Sequence, residues 1–383
     1  MRVSGWRIPA RMGRVVDNRF PLDPGRRHLN LGAIGVAPHE VLAAKADYLR
    51  QANTNPIRFH QVDTIPLVER AREVAAGFLG SADVALVHNT TMAAATVLGA
   101  VRFVKGDEIV VSNHSYPAVT IAAGARARVR QISFPVTATD DEIVEAFARG
   151  VNENTKLVIV DAISSATALV LPVRGIVEAV GPVPVLVDAA HAPGHIDQLP
   201  ADTGADFWVG NFHKWAYAAR TVAGLYVAPR WRDTIRPLVP SFLHQEGFPR
   251  GFDHLGTMDY SAWMALPEAM SFWHSIGGWD AVAETARLLD KGVQVVADAL
   301  GVAGQVSENH APLMRLVALP DGWVTGEGDC LRFYDALSTR YGIEAVPKWF
   351  DGRGYLRLCA TPANREEDYQ ALAEVLAGGS PLH

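Results

Sequence analysis

Two stretches decide how this chain is read: Val187-Asp188-Ala189-Ala190-His191-Ala192-Pro193-Gly194 and Val209-Gly210-Asn211-Phe212-His213-Lys214-Trp215. The first closes an apolar run, Val183-Pro184-Val185-Leu186-Val187, with a carboxylate; the second sets a lysine, 26 residues after Asp188, beside a histidine and two aromatic rings. Such a run predicts a buried parallel strand, and Asp188 then stands at its carboxyl end, where open α/β sheets place their ligands. Singly, Asp188 reads as well as a strand-end cap and Lys214 as a solvated surface lysine, because charged residues are mostly exposed. The aromatic company of Lys214 does not suit a solvated face. Desolvation lowers an amine's pKa towards the range useful for imine chemistry.

A lysine of that kind can hold an aldehyde cofactor as a Schiff base. The cofactor draws electrons from a substrate carbon only while its ring nitrogen stays protonated, a condition that a carboxylate maintains. Asp188 and Lys214 together therefore suit pyridoxal 5'-phosphate.

Composition bounds the rest. A chain of 383 residues that is 49% hydrophobic can bury a large core and predicts two or three domains. A net charge of -6 without a long basic run argues against nucleic acid. Two cysteines, Cys330 and Cys359, exclude a disulfide framework and suit a reducing cytoplasm. The 13 histidines fall in no metal-ligand spacing, so no metal is expected. No run reaches the ~20 apolar residues of a membrane span. Arg2, Arg7, Arg11 and Arg14, interrupted by Gly5, Pro9 and Gly13, do not form a signal peptide.

Short apolar runs alternate with helical stretches. The strand candidates are 84–87, 108–112, 156–160, 183–188, 205–209 and 222–227, which predict a mainly parallel sheet covered by helices. Leu67, Val68, Ala71, Val74, Ala75 and Phe78 follow helical spacing up to Gly80. A long helical run from 265 to 300 breaks at Gly277-Gly278. Beyond it, 313–318, 330–341, 355–358 and a last helix over 364–377 suggest a smaller α/β domain.

The segments Asp188–Gly194 and Gly210–Trp215 resemble the cofactor segments of class V aminotransferase-type enzymes (pyridoxal phosphate fold type I), which include the cysteine desulfurases. Within that family the chain most resembles the isopenicillin N epimerase branch. Weaker matches extend over most of the chain: Asn55-Pro56-Ile57-Arg58-Phe59, His88-Asn89-Thr90-Thr91, Asp161-Ala162-Ile163-Ser164-Ser165, Leu255-Gly256-Thr257 and Tyr355-Leu356-Arg357-Leu358. The resemblance implies an α/β fold with a seven-stranded, mainly parallel sheet whose last strand runs antiparallel. It divides the chain into an arm (1–30) joining the small domain, a large cofactor domain (31–264), and a linking helix with the small C-terminal domain (265–383).

The resemblance also assigns roles. Lys214 would carry the Schiff base and Asp188 would meet the ring nitrogen. His191 stands where the desulfurase branch has a glutamine on the cofactor's phenolic oxygen, and Ser165 where that branch has asparagine. Thr90 and Thr91, opening a helix whose N-terminus favours anions, are phosphate candidates, though threonine there is also read as an N-cap. Asn211 and His213 resemble further phosphate contacts, and Thr257 a phosphate contact made across a homodimer interface. Tyr116 falls where relatives stack a ring on the cofactor; His114, two residues away on the same side of an extended chain, competes for that role. Arg357, in an apolar strand, would bind the substrate α-carboxylate through two parallel donors, or else form a structural ion pair. Asn30 belongs to the segment that passes near the substrate in this family, and Arg58 is a second substrate or interface contact. Trp6, Trp215, Trp231, Trp263 and Trp349 are enough to line a roomy pocket, although tryptophan is more often core.

Lys214, freed by a substrate amine, would act as base at Cα. Elimination, epimerisation and transamination all follow from that step. The region 343–355 lacks the mobile cysteine of the closer desulfurase subgroup; Cys330 and Cys359 read as buried structural thiols, with Cys359, which shares the face of Arg357 by two-residue alternation, kept as an alternative nucleophile. The leading expectation is a lyase that cleaves a carbon–sulfur bond of an amino acid conjugate. Epimerase, aminotransferase and a non-catalytic cofactor-binding protein are the alternatives.

Overall fold

The computed structural model describes residues 17–81, 83–304 and 306–382. The arginines of the extreme N-terminus and Trp6 lie outside the described residues. Seven strands form the large sheet: β1 (Val84–Val87), β2 (Glu108–Ser112), β3 (Arg128–Ile132), β4 (Thr155–Asp161), β5 (Val185–Asp188), β6 (Phe207–Asn211) and β7 (Ala223–Val227). Their spatial order is β1-β7-β6-β5-β4-β2-β3, and β7 alone runs against the others.

Side-chain alternation explains why helices cover both faces. Val84, Leu86, Val110, Val158, Val160, Val185, Val187 and Trp208 enter one core cluster. Ala85, Ile109, Val111, Leu157, Ile159, Leu186, Phe207 and Val209 enter the cluster on the other face. With both faces buried, the strands inside the sheet read as near-continuous apolar runs rather than alternating ones. On the first face lie the helices Thr64–Phe78, Asp140–Gly150, Val173–Val180 and Leu266–Ser275; on the second lie Thr90–Ala100 and Pro117–Gly124.

The seventh strand, β3, is absent from the sequence reading for a physical reason. It is the sheet edge, half-exposed, and reads Arg-Val-Arg-Gln-Ile. A second strand was missed in the C-terminal part, where β8 (Met314–Ala318), β9 (Val346–Phe350) and β10 (Arg353–Cys359) form an antiparallel sheet ordered β9-β10-β8. Proline and lysine within β9 obscure its pattern. The helical run breaks at the glycine pair, between Leu266–Ser275 and Trp279–Leu300. Cys330 lies inside the helix Glu327–Tyr341, rather than before it, and is half-buried rather than buried. Residues Arg27–His28 pair in parallel with Ile343–Glu344, so the chain segment before Asn30 is tied to the C-terminal part.

Asp206 anchors the start of the strand that carries Asp188. It is buried and accepts hydrogen bonds from the Val185 backbone N–H at 3.0 Å, Arg230 Nε at 2.5 Å and Trp231 Nε1 at 2.6 Å. Asp206→Ala leaves the Val185 N–H and the Trp231 indole without their acceptor, while the exposed Arg230 turns to water, and an unmet buried group costs about 1–3 kcal/mol. The expected outcome is a loss of about 3 kcal/mol in urea unfolding, whereas a change within measurement error would contradict the anchoring role.

Candidate active site

The carboxyl ends of β4, β5 and β6 open into a cavity of about 310 Å³. Asp161 and Asp188 end neighbouring parallel strands and are partners in register, so two carboxyl groups lie side by side at its floor. Both are buried. Asp188 Oδ1 accepts the Ala190 N–H at 3.1 Å, while Oδ2 has no hydrogen-bond partner among the described residues, and neither does Asp161 Oδ2. Burial raises the Asp188 pKa to about 6, against the opposing pull of the Ala190 amide and Lys214. Burial, then repulsion from Asp188, pushes Asp161 well above the ordinary carboxylate range.

Lys214 approaches from the one-turn helix Phe212–Trp215 that follows β6. Two close backbone approaches set its position. Gly35, at φ +80°, packs so tightly that a Cβ would lie 1.7 Å from the His213 carbonyl oxygen; at Gly194, φ +77°, it would lie 2.6 Å from that of Trp215. Only glycine allows either contact. Lys214 Nζ is 3.0 Å from His191 Nε2, and Trp215 Nε1 donates to His191 Nδ1 at 3.2 Å. Burial, then the charge of Arg357, lowers the Lys214 pKa to about 8. Burial and then Lys214 press the His191 imidazole well below its usual range, keeping it neutral.

At the other end of the cavity, Asn89 caps the helix Thr90–Ala100 by accepting the Met92 N–H at 2.9 Å. The capping role therefore belongs to Asn89, and Thr90 and Thr91 sit in the first turn on the cavity wall. Thr90 Oγ1 is buried without a partner. The Thr90 N–H donates to Asn211 Oδ1 at 3.1 Å, which joins two expected phosphate contacts, and His213 lies on the same wall with Nδ1 3.3 Å from the Val222 carbonyl oxygen.

Arg357 comes from β10 and is buried behind Ser165 rather than on the wall. Asn30 Oδ1 accepts from its Nε at 3.1 Å and from Nη2 at 2.9 Å; Nη1 donates to the Ser165 carbonyl and, at 3.3 Å, to Ser165 Oγ. No carboxylate pairs with it among the described residues. That excludes the structural ion pair. Cys359, on the same strand, is buried with Sγ 3.4 Å from Asn30 Oδ1.

Tyr116 is on the wall and 44% exposed. His114 points elsewhere: its ring stacks on Phe134 at 4.3 Å, and its nitrogens lie 2.8 Å from Thr167 Oγ1 and 2.9 Å from the Phe134 carbonyl oxygen. Ser165 is also on the wall. Thr257 and Arg58 are not; both are exposed. None of the described tryptophans lines this cavity. Among the polar wall residues, Asp161 stood in a quoted segment without a role, and Arg220 and Thr221 were missed. Asp161 ends an apolar strand as Asp188 does and could have been found by that signal. Arg220, donating to the Gly35 carbonyl at 3.3 Å, has no local sequence signature. Among the described residues no group of three or more His, Cys, Asp or Glu side chains could hold a metal, and no helix is long and apolar enough to cross a membrane.

The profile of the aminotransferase class-V family matches residues 31–318. The chain belongs to the class V aminotransferase family. This is a family of pyridoxal phosphate enzymes, and the chain has its fold. A probable chloroplastic L-cysteine desulfhydrase of Arabidopsis thaliana is 28% identical, over 93% of this chain and 83% of the relative. The isopenicillin N epimerase of Streptomyces clavuligerus is 26% identical, over 94% and 96%. Among solved structures, the cystine C-S lyase C-DES, in complex with its product cysteine persulfide, superposes with a TM-score of 0.77 at 18% identity, covering 92% of this chain and 98% of that one.

The donor set fits pyridoxal phosphate. An unpartnered Asp188 oxygen, an amine of lowered pKa and an unpartnered Thr90 hydroxyl at a helix N-terminus line one cavity, which suits a ring nitrogen, an aldehyde and a phosphate. An amine of pKa about 8 is mostly ammonium below that pH and mostly free base above it. Uptake of pyridoxal phosphate by the cofactor-free protein should therefore quicken up to pH of about 8 and level off above, as read by stopped-flow absorbance. A rate still climbing at pH of about 10 would indicate an unshifted lysine.

Proposed function

We propose that the protein is a pyridoxal phosphate-dependent lyase that expels a thiol from Cβ of a cysteine S-conjugate. When bound, the cofactor supplies an electron sink for the pair left at Cα. The chain supplies everything else. Asp188 Oδ2, without a partner, would keep the ring nitrogen protonated. Thr90, Thr91, Asn211 and His213 would hold the phosphate, and Tyr116 would pack on the ring face. The observation that carries an amino acid substrate is Arg357: a guanidinium buried behind Ser165 whose acceptors are all neutral oxygens, for which a substrate α-carboxylate would be the stronger acceptor once the Ser165 contacts give way to it.

With the carboxylate held there, Lys214 removes the Cα proton. The electron pair moves towards Cβ, the carbon–sulfur bond breaks, and the sulfur leaves as a thiolate. Hydrolysis of the released enamine gives a keto acid and ammonia. His191, beside Lys214 Nζ at 3.0 Å, keeps the amine oriented. Support for carbon–sulfur chemistry comes from the relatives named as cysteine desulfhydrases and from the C-S lyase of the same fold. A substrate longer than cysteine is favoured by a second cavity of about 460 Å³ that shares Ala33, Ile34 and Arg220 with the first. Persulfide chemistry on a mobile cysteine is disfavoured, because residues Val346–Phe350 form a strand and the chain has no cysteine there.

Epimerisation at Cα is the second reading, supported by the similarity to isopenicillin N epimerase over 94% of the chain. Incubation with cofactor and a panel of cysteine S-conjugates in heavy water separates the two. A keto acid with a free thiol is the expected result, absent in Lys214→Ala. Deuterium at Cα of intact substrate without thiol release would replace the lyase with the epimerase.

We further infer a homodimer with shared sites. Exposed apolar side chains, Ile57 at 76% and Phe242 at 89%, flank the face that presents Arg58 and Thr257, and Phe242 packs on His254 with ring centroids 5.3 Å apart. Thr257 is too exposed to serve its own cavity and suits the phosphate of a second copy. Thr257→Ala should weaken cofactor affinity about tenfold, equivalent to about 1.4 kcal/mol. In hybrid dimers pairing it with Lys214→Ala, one site has both residues intact and should bind cofactor with full affinity; persistence of the Thr257→Ala weakening at that site would refute the sharing.

A further inference from the structure

One side chain touching the lysine's partner has no part in this account. Trp215 is fully buried and follows Lys214 directly. Its Nε1–H donates to His191 Nδ1 at 3.2 Å, and an indole N–H can only donate. His191 Nδ1 must then accept. In a neutral imidazole the proton is left on Nε2, the atom 3.0 Å from Lys214 Nζ. An ammonium has no lone pair to take that N–H, so the arrangement suits Lys214 as the free amine.

A second histidine braces the first. The Leu313 N–H donates to His195 Nε2 at 2.8 Å, which leaves Nδ1–H to donate to the His191 carbonyl at 3.1 Å. The His195 ring also packs on Trp215, with centroids 4.4 Å apart. The charged and titratable groups facing Lys214 are His191, Arg357, Asp188, Cys359, Asp161, His195 and His213; those facing His191 are Lys214, Arg357, His195 and His213. No carboxylate is hydrogen-bonded to His191 among the described residues, so the contact left to choose its tautomer is the indole.

We propose that Trp215 is a positioning residue that locks His191 in the Nε2–H tautomer, so that this imidazole acts as a donor towards the centre of the cavity. In the cofactor-free protein the donor meets the lone pair of Lys214 and keeps the amine ready to attack an aldehyde. With cofactor bound, the same N–H is available to the phenolic oxygen, the role a glutamine amide fills without a tautomer choice. This second half rests on the cofactor assignment above. The first half does not.

The test uses the cofactor-free protein and no substrate, so it stands or falls separately from the lyase reading. Reductive methylation of Lys214 is followed against pH by site-resolved mass spectrometry. Trp215→Phe keeps most of the ring volume and removes the donor, freeing His191 to turn Nε2 into an acceptor that stabilises the ammonium. The methylation midpoint should rise by about one pH unit. In a His191→Gln background the same Trp215→Phe change should move it by less than about 0.3 unit. An unchanged midpoint in the single variant, or a full shift that persists without the histidine, would overturn the proposal in favour of simple packing. Should Trp215→Phe fail to fold, histidine-labelled ¹⁵N NMR of the unaltered protein decides: a protonated Nε2 is expected, and a protonated Nδ1 refutes the lock.

Discussion

Removal of Lys214 from water is the constraint on which the rest of the site depends. An amine buried in this way becomes reactive near neutrality, but the same desolvation acts on every ionisable group beside it. Asp188 and Asp161 are pushed towards their protonated forms, His191 and His213 towards neutral imidazole, and Arg357 stays charged without a counter-ion. The cavity is therefore poised to accept complementary charge: a cation beside the carboxyl pair and an anion near the guanidinium. A protonated ring nitrogen and an amino acid carboxylate would supply that pair of charges.

The fold meets this constraint by bringing short polar segments together at one edge of an apolar sheet. Strands β4, β5 and β6 are buried on both faces, so their polar residues appear only at the strand ends, with Asp161, Asp188 and Asn211 where the strands stop. Glycines 35 and 194 let two backbone segments close on the lysine turn at distances no side chain allows. Arg357 comes from the other sheet and is aimed by Asn30 and Ser165, 327 and 192 residues away in sequence. Its orientation depends on how those parts pack, which would give the remote strand a hold on substrate alignment in the proposed reaction.

How much of this was legible follows from burial. Strands apolar on both faces announce themselves, and Asp188 and Lys214 could be read because each interrupts an apolar or aromatic run. The edge strand β3 could not, since half of it faces solvent and carries arginine and glutamine. Asp161 carried the same strand-end signal as Asp188, but its meaning lies in the register that sets the two side by side. The choice of Tyr116 over His114 was open in sequence, because both share one side of an extended chain. Packing separates them: Phe134 takes the imidazole into the core and leaves the phenol on the wall. The tautomer chain through Leu313, His195, His191 and Trp215 has no sequence signature, since it is a matter of which lone pairs are already taken.

The same economy bears on the choice of reaction. A carbanion at Cα can be reprotonated or can expel a β-substituent, and the groups nearest Lys214 serve both outcomes. Discrimination must therefore come from the substrate's far end, where the walls are less committed. Ala33, Ile34 and Arg220 stand between the two cavities, and Arg220 has a single weak acceptor in the Gly35 carbonyl at 3.3 Å. A β-substituent reaching past them would have its bond to Cβ fixed in direction while the carboxylate is held at Arg357. Alignment of that bond with the electron pair at Cα favours its departure over reprotonation, so the reach of the substituent, rather than the identity of the base, would decide for elimination.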